Sequence, residues 1–468
     1  MASSRTSSRR THPFVLVANT ILATSLALLL VVNFTGGETK ISKPPQHRYA
    51  VADPQFERAL GVLLGPPIVA GNRYQALYNG EQIFPAMLEA IRAAQKSITF
   101  ETYIYWSGDI GRAFADALTE RARAGVAVHV LLDWVGSAKI DQAFIDEMTQ
   151  AGVQVHKFHK PTWYQLGRLN NRTHRKLLVV DGRVGFTGGV GIAAEWTGNA
   201  QDPEHWRDTH FRIEGPAVAQ VQAVFMDNWI KVSGEALHDE RYFPSLEPVA
   251  GGGNSKNNAG TDEASAGSEK GEKRQGGEGT GGSKREGLAQ MFSSSPQGGA
   301  ESMQLMYLLS ITAATKTIDL SSAYFVPDEL TQQALIDAMQ RGVRLRILTP
   351  GEHMDAQTVR LASRAGWKAL LAAGAQISEY QPTMFHCKVF TVDGLLVSVG
   401  STNFDNRSFR LNDEANLNIY DAAFAAEQTA VFEADLKRSK RFTLAQWEER
   451  SLWEKTKEQV AALIAAQL

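Results

Sequence analysis

Cysteine is almost absent from this chain, and its charges nearly cancel. The 468 residues include one cysteine, Cys387, so no internal disulfide can form and the redox compartment cannot be read from cystine pairs. One thiolate also excludes a zinc site built on several cysteines. The formal net charge is −2, so no overall basic field draws the chain to nucleic acid. This balance counts against a nuclease.

Charge is missing altogether from residues 13–34. As a helix this stretch would be about 30 Å long, which matches one bilayer core. We interpret it as a single-pass transmembrane signal anchor. A cleaved signal peptide is the alternative, but the apolar part is long for a signal core and no small-x-small cleavage site precedes Thr35. Arginines on the N-terminal side favour an inside N-terminus, with the remainder of the chain across the membrane: Arg5, Arg9 and Arg10.

Aromatic residues are missing from residues 249–287, which are rich in Gly, Ser, Glu, Lys and Asn. Such a composition buries too little apolar area to offset chain entropy, so we predict a disordered insert. It separates two globular halves. The predicted organisation is a basic segment 1–12, the anchor 13–34, a tether 35–50, a first half 51–248, the insert 249–287, a second half 288–425 and a helical tail 426–468.

The two halves repeat one another in the same order. Each repeated stretch is either a helix end that runs into a strand or a helix, a Gly stop and a new strand. Alternating helices and strands with short loops predict α/β layers in each half. The matching stretches are residues 93–98 with 313–318, 123–126 with 340–343, and 151–155 with 373–377.

The most specific feature is a sequence motif that occurs once in each half. Each copy is His-x-Lys, four residues, then Asp, and each ends at small residues after a predicted hairpin. The first copy has His174, Lys176, Asp181 and Gly188-Gly189; the second has His386, Lys388, Asp393 and Gly400-Ser401.

Strand geometry divides the residues of this motif. If residues 173–180 and 384–392 are regular strands, each His and Lys share a face, and each Asp has the opposite parity. Turn formation and backbone cross-linking are therefore favoured over direct catalysis for Asp181 and Asp393. The far-end glycines, including Gly189, would permit close backbone approach to an anion.

This set of residues suits attack on a phosphodiester. One imidazole can attack phosphorus and form a covalent phosphohistidine, while the other protonates the leaving oxygen. Two lysines can neutralise the phosphate without a metal. A nucleophilic His also needs a carboxylate on its other ring nitrogen. Asp208 and Glu414, which follow the two motifs, are candidates, although each could equally be a solvated surface carboxylate.

The paired motif resembles the signature of the phospholipase D superfamily, and its surroundings are most similar to bacterial cardiolipin synthases. The resemblance covers about residues 55–445 apart from the insert. The stretches that carry it are Tyr324-Phe325-Val326-Pro327-Asp328, Glu379-Tyr380-Gln381-Pro382, Gly400-Ser401-Thr402-Asn403 and Arg207-Asp208-Thr209-His210.

The resemblance implies two α/β sandwich halves related by a pseudo-twofold axis, with one site in the cleft between them. His174 would be the nucleophile and His386 the general acid/base, within a catalytic group of His174, Lys176, Asp181, His386, Lys388 and Asp393. Lys176, Lys388 and Asn403 would hold phosphate oxygens, and Ser401 would support the phosphate or its histidine. Asp208 and Glu414 would orient the histidines. The chain departs from the family at Gly191, where an Asn often stands.

Three enzymatic functions share these residues. The resemblance favours a phosphatidyltransferase that passes a phosphatidyl group to a lipid alcohol such as phosphatidylglycerol. In a phospholipase D, water would resolve the same intermediate and release phosphatidic acid. A nuclease is disfavoured by the anchor and the charge balance, and a non-enzymatic membrane scaffold is a minor reading. We expect phospholipid and membrane partners, no nucleic acid, no cofactor and no metal.

The resemblance and the anchor together imply a bacterial inner-membrane protein whose catalytic part is extracytoplasmic. Cys387 lies between the catalytic His386 and Lys388 but on the other face of the strand. We therefore predict a packed thiol there rather than a nucleophile. Trp163 and Tyr164 could contact lipid or anchor their own loop. The sequence leaves the oligomeric state open.

Overall fold

A computed structural model describes residues 13–35, 41–158, 171–245, 287–296 and 302–463. The predicted insert therefore lies outside the described residues except for Gly287, as do Trp163 and Tyr164. The chain divides into two units, one containing helix α1 (Pro13–Thr35) and the other beginning at Lys43. The two units are described separately.

Helix α1 coincides with the predicted anchor. Among the residues that the structure describes, no helix combines the length and the apolarity needed to cross a membrane. The transmembrane assignment therefore stays a prediction.

The first half is a seven-stranded sheet with helices packed against it, in the strand order β1-β8-β7-β6-β2-β3-β4. Strands β2, β3 and β4 are parallel, and the rest of the sheet is antiparallel. The helices are α2 (Pro54–Leu64), α3 (Asn79–Ala93), α4 (Asp109–Arg123), α5 (Gln142–Gln150) and α6 (Ala217–Ser233). The strands are β1 (Arg73–Tyr78), β2 (Ser97–Thr102), β3 (Ala127–Asp133), β4 (Gln154–Phe158), β5 (Arg172–Thr173), β6 (Leu177–Val180), β7 (Val184–Gly188) and β8 (Thr209–Glu214).

The second half repeats this order in the strands β9-β17-β15-β14-β10-β12-β13, with β18 added at the edge beside β13. The helices are α7 (Ser302–Ala313), α8 (Glu329–Gln340), α9 (Gln357–Ala365), α10 (Trp367–Ala372), α11 (Asn406–Arg410), α12 (Ala422–Leu436), α13 (Leu444–Glu448) and α14 (Leu452–Leu463). The strands are β9 (Leu288–Ser294), β10 (Thr317–Ser322), β11 (Phe325–Val326), β12 (Arg344–Pro350), β13 (Gln376–Tyr380), β14 (Lys388–Val392), β15 (Leu396–Gly400), β16 (Phe404–Asp405), β17 (Asn412–Tyr420) and β18 (Ser439–Phe442).

The matching strand orders confirm the predicted pair of α/β halves. The boundary at the C-terminus differs from the prediction. Residues 426–468 are not a separate tail, because α12 continues to Leu436 and β18 pairs antiparallel with β13 of the second sheet.

The predicted continuous motif strands are also wrong in part. Residues 173–180 divide into β5 and β6, and residues 384–387 precede β14. The reason is that the backbone before each motif leaves its own sheet and pairs with the other half. Strand β5 pairs parallel with β17, and Arg207 forms an isolated parallel bridge with Phe385.

The halves are also joined by a shared apolar core. The buried faces of the two sheets contribute to one cluster, in which burial of aliphatic side chains is the main stabilising contribution. Its members include Leu177, Val179 and Phe211 from the first half and Val397, Val399 and Leu417 from the second. This core fixes the relative position of the two motif strands.

Candidate active site

Both motif histidines lie where one half pairs with the other. The backbone N–H of His174 donates to the carbonyl of Asp413 at 2.9 Å, and that of His386 donates to the carbonyl of Arg207 at 2.7 Å. Both side chains are buried, with residue exposures of 9% and 6%. The two copies of the motif are therefore brought together by hydrogen bonds that neither half can make alone.

Each histidine is paired with a carboxylate of the opposite half. The Nδ1 atom of His174 lies 3.0 Å from Oε1 of Glu414, and Nδ1 of His386 lies 2.7 Å from Oδ2 of Asp208. Both carboxylates are fully buried. The alternative that they are solvated surface groups is therefore wrong.

The electrostatic setting keeps both carboxylates ionised. Burial opposes ionisation, but the neighbouring His386, Lys388 and the N–H of Thr209 together hold the pKa of Asp208 below its ordinary value. Burial is likewise outweighed at Glu414, whose pKa is lowered by His174, Lys176 and Ser401. Carboxylates held in this way can fix the ring orientation and tautomer of an imidazole.

The histidines themselves are neutral near pH 7. Burial lowers the pKa of His174 to about 4, although Glu414 opposes this shift. Burial and the adjacent Lys388 lower the pKa of His386 to about 3. Because each Nδ1 faces a carboxylate, the ring proton belongs on Nδ1, and Nε2 keeps a lone pair. A lone pair on Nε2 is what a nucleophile or general base requires.

Two lysine ammonium groups accompany the imidazoles. Nζ of Lys176 donates to the carbonyl of His174 at 2.7 Å, and Nζ of Lys388 donates to that of His386 at 2.8 Å. Burial and the repulsion of Lys388 lower the pKa of Lys176 to about 7. Burial also lowers the pKa of Lys388. A bound anion would relieve this repulsion, so the site is electrostatically suited to phosphate.

Ser401 and Asn403 follow the second motif hairpin and differ in their bonding. Asn403 is buried, and its side-chain Oδ1 has no hydrogen-bond partner in the described part of the chain. Ser401 donates its hydroxyl to Oε2 of Glu414 and accepts the N–H of Ala415 at 3.0 Å. The hydroxyl of Ser401 therefore contacts the carboxylate that holds His174, which favours the predicted support of a histidine over a direct contact with phosphate.

Gly189 does not offer its backbone to an anion, which corrects the predicted phosphate contact. Its N–H donates to the carbonyl of Thr209 at 3.1 Å. A Cβ at this position would lie 2.1 Å from Oδ1 of Asp208. The absence of a side chain at Gly189 therefore makes room for the carboxylate that holds His386.

The motif aspartates lie at the hairpin corners, at φ angles of 52°, and not beside the histidines' ring nitrogens. Their placement in the catalytic group is corrected by their bonding, because each carboxylate ties its hairpin to the preceding helix-to-strand turn. Asp181 accepts the backbone N–H groups of Gln95, Lys96 and Ser97, and Asp393 accepts those of Thr315, Lys316 and Thr317, at distances of 2.7–2.9 Å for the shortest contact of each.

Cys387 is a packed thiol. It is buried and accepts the hydroxyl of Thr209 at 3.2 Å. Burial raises its pKa to about 12, so the thiolate is scarcely populated near neutral pH.

Sequence reasoning missed the aromatic side chains around the histidines. The ring of Tyr103 lies 5.3 Å from that of His174, and the rings of Trp196 and Trp206 lie 5.3 and 5.5 Å from that of His386. The indole N–H of Trp196 also donates to Oδ2 of Asp208 at 2.8 Å. The one feature of the sequence that could have indicated them was Gly191, because the space left by its missing side chain is filled in part by Trp196.

No cluster of three or more His, Cys, Asp or Glu side chains suited to a metal occurs among the described residues. The ionisable side chains that the site brings together are two imidazoles, two ammonium groups and two carboxylates.

The sequence matches a known protein family and several of its members. The family described as "Cardiolipin synthase, PLD-like domain" matches residues 87–229 and 307–436. The probable cardiolipin synthase YwiE of Bacillus subtilis is 34% identical over 396 residues, which are 84% of this chain and 72% of that protein. Cardiolipin synthase A of Pseudomonas aeruginosa is 36% identical over 388 residues, 82% of this chain and 71% of that protein.

The fold is also similar to a solved structure. The crystal structure of phosphatidylserine synthase from Haemophilus influenzae has a TM-score of 0.63, covers 88% of this chain and 100% of its own, and is 13% identical, so it speaks for the fold alone. Taken with the family match, the sequence relatives identify the chain as an enzyme of the phosphatidyltransferase class that belongs to the cardiolipin synthase family with phospholipase D-like domains.

Proposed function

We propose that this enzyme transfers a phosphatidyl group through a covalent phosphohistidine to a lipid alcohol such as phosphatidylglycerol. The observation that supports it most is the pair of buried, neutral imidazoles, each held at Nδ1 by a carboxylate of the opposite half. Two lysine ammonium groups share the same site. This arrangement supplies a nucleophile, a proton donor and a cradle for phosphate oxygens.

In the first step, Nε2 of His174 attacks the phosphorus of the donor lipid. A P–N bond forms, the P–O bond to the headgroup alcohol breaks, and the leaving oxygen takes a proton from His386. Lys176, Lys388 and Asn403 hold the phosphate oxygens while charge redistributes. In the second step His386 takes the proton of the acceptor hydroxyl, whose oxygen displaces the histidine and restores neutral His174.

The first step requires His386 to be protonated, although burial lowers the pKa of this imidazole to about 3. The repulsion of Lys388 contributes to that low pKa. A phosphodiester anion between the lysines would offset this repulsion and favour the imidazolium. We therefore infer that substrate binding is accompanied by proton uptake at His386.

The acceptor is proposed from the relatives, whose names describe cardiolipin synthases. With phosphatidylglycerol as donor and acceptor, glycerol would leave in the first step and cardiolipin would form in the second. Lipid substrates also suit the proposed location, a bacterial inner membrane with the catalytic part outside the cytoplasm. The proposed anchor is helix α1, and it rests on the uncharged sequence of residues 13–34.

The test is to incubate the purified full-length enzyme in mixed micelles with phosphatidylglycerol labelled in its headgroup glycerol and its acyl chains. Cardiolipin with equimolar free glycerol is the expected result. Phosphatidic acid in place of cardiolipin would instead identify water as the acceptor and overturn the transferase proposal.

The control for this experiment is a histidine outside the site. His238 is exposed, and its ring lies 3.0 Å from the backbone carbonyl of Ala236. His238→Ala should form product at the wild-type rate, and His174→Ala should form none. Lipid turnover by His174→Ala at the wild-type rate would remove the nucleophile from the proposal.

A further inference from the structure

We propose that Trp196 is a positioning residue for His386, acting through the hydrogen bond that its indole N–H donates to Asp208. In this role the tryptophan supplies to the first half the donor that the Ser401 hydroxyl supplies to the second. The inference deepens the proposed function and rests on it for the role of His386 as the proton donor.

The hydrogen bonds around Asp208 leave its carboxylate little freedom. Trp196 donates to Oδ2 at 2.8 Å, and the same oxygen faces Nδ1 of His386 at 2.7 Å. The other oxygen, Oδ1, accepts the N–H of Thr209 at 2.7 Å. Both oxygens are thus engaged, and the one that holds the histidine is shared with the indole.

The two halves use different residues to donate a hydrogen bond to the carboxylate that holds a histidine. Gly189 and Ser401 occupy matching positions, because each follows the histidine of its own half by fifteen residues. Ser401 donates to Glu414. A side chain at Gly189 would collide with Asp208, since its Cβ would lie 2.1 Å from Oδ1. The first half therefore needs its donor from elsewhere.

The lack of a side chain at Gly191 leaves room for that donor, the indole of Trp196. A Cβ at this position would lie 2.7 Å from Cβ of Ile104 and 3.1 Å from a ring carbon of Trp196. A side chain such as that of Asn403, at the matching position of the second half, would therefore have to displace Ile104 and would also press on the indole. Gly191 therefore lacks the amide that Asn403 carries, and it leaves room for the indole of Trp196.

The indole is held firmly enough to serve as a fixed donor. Trp196 ends the one-turn 3-10 helix Ala194–Trp196 and is 3% exposed. Its carbonyl would lie 2.0 Å from a Cβ on Gly80, so helix α3 packs directly on this turn. Its ring also contacts those of Trp206 and His386, with centroids 4.5 and 5.3 Å away.

Removing the indole donor should change the proton affinity of His386 in a defined direction. A donor to Oδ2 shares the negative charge that would otherwise stabilise the imidazolium, so its loss favours protonation. The other charged groups that face His386 are Lys388 and Lys176, and neither contacts Trp196 in the described hydrogen bonds. The pKa of His386 should therefore rise, while that of His174 should stay unchanged.

The experiment compares Trp196→Phe with Trp106→Phe in the full-length enzyme. Trp106 is the matched control, because its indole N–H donates at 2.9 Å to the carbonyl of Gly136 in the same half. Exchange of the imidazole C2 proton, followed by mass spectrometry across pH, reports each histidine separately and needs no lipid turnover. Failure of cardiolipin synthesis in the wild type would thus overturn the proposed function without affecting this test.

We expect Trp196→Phe to raise the pKa of His386 by about one unit. The easier protonation should be outweighed by the less firmly held Asp208, which no longer fixes the imidazole, so kcat should fall about tenfold with little change in KM, as loss of one hydrogen bond to a charged group predicts. Trp106→Phe should change neither quantity. An unchanged titration of His386 together with wild-type kcat would overturn the proposal. If Trp196→Phe does not fold, 3-benzothienylalanine at position 196 keeps the ring size, removes only the donor and must give the same result.

Discussion

Glu414→Gln is the most informative single change, because it keeps the shape of the group that holds His174 and removes its charge. Glu414 contacts Nδ1 of His174 through both oxygens, at 3.0 and 3.1 Å, and it also accepts Ser401 and Asn412. A glutamine amide could donate to Nδ1, which would move the ring proton to Nε2. The lone pair that attacks phosphorus would then be lost.

The size of the effect follows from the interaction that is removed. A hydrogen bond to a charged group contributes about 1.5–3 kcal/mol, which corresponds to a rate loss of about tenfold to a hundredfold. A change of tautomer would add to this loss. Glu414 also raises the pKa of the nearby Lys176, so the substitution should weaken phosphate binding in addition to slowing the chemical step.

The assay is a single turnover with excess enzyme, quenched in alkali so that an N-linked phosphatidyl adduct survives, and followed by peptide mapping. Glu414→Gln should form the adduct on His174 at least tenfold more slowly than the wild type. The matched control is Glu379→Gln in the same half, a buried carboxylate that pairs with Arg360 and Arg364 instead of a histidine. Adduct formation at the wild-type rate in a folded Glu414→Gln enzyme would refute the reasoning.

Four further outcomes are expected. His174→Ala and His386→Ala should each abolish steady-state lipid turnover, and wild-type turnover in either would contradict the two-histidine mechanism. Turnover should persist in excess chelator, whereas strict dependence on added metal would count against a phosphohistidine route. Because the proposed binding step takes up a proton at His386, kcat/KM should decrease as pH rises above the range in which free His386 is protonated, and the decrease should steepen above about pH 7 as Lys176 loses its proton; Lys176→Arg should remove only the steeper part. Asp181→Ala should lower the free energy of unfolding in urea by about 1–3 kcal/mol, because it leaves backbone N–H groups unpaired, while the chemical step should retain most of its rate.

Much of the fold could be predicted because the sequence repeats. Gly125 and Gly342 illustrate why: each follows a helix, adopts a positive φ of 89° or 97°, and leads into a strand. Such glycine caps at helix C-termini are local features that can be recognised in a single sequence. Two matching series of them indicated two α/β halves, and the paired motif indicated one composite site.

The break in each motif strand could not be predicted in the same way. Local pattern favoured strands through His174 and His386, since alternation is the only signal that a single segment gives. The competing interaction comes from more than 170 residues away, where Asp413 and Arg207 offer carbonyls to the two histidines. No periodicity within either segment encodes a partner at that distance.

The two carboxylates that hold the histidines accept hydrogen bonds from different donors, Trp196 for Asp208 and Ser401 for Glu414. This difference also depends on contacts between distant residues, and it affects the mechanism. In sequence, Gly189 and Gly191 read as losses relative to Ser401 and Asn403. In space, the two glycines admit Asp208 and Trp196, so the first half gains an indole donor and loses an amide that could reach phosphate. The surroundings of the two histidines therefore differ, since Trp196 and Trp206 lie beside the ring of His386 and Tyr103 lies beside that of His174. A site with this asymmetry need not treat the departing and incoming alcohols alike, which suits the proposed reaction, in which glycerol departs and the hydroxyl of a lipid enters.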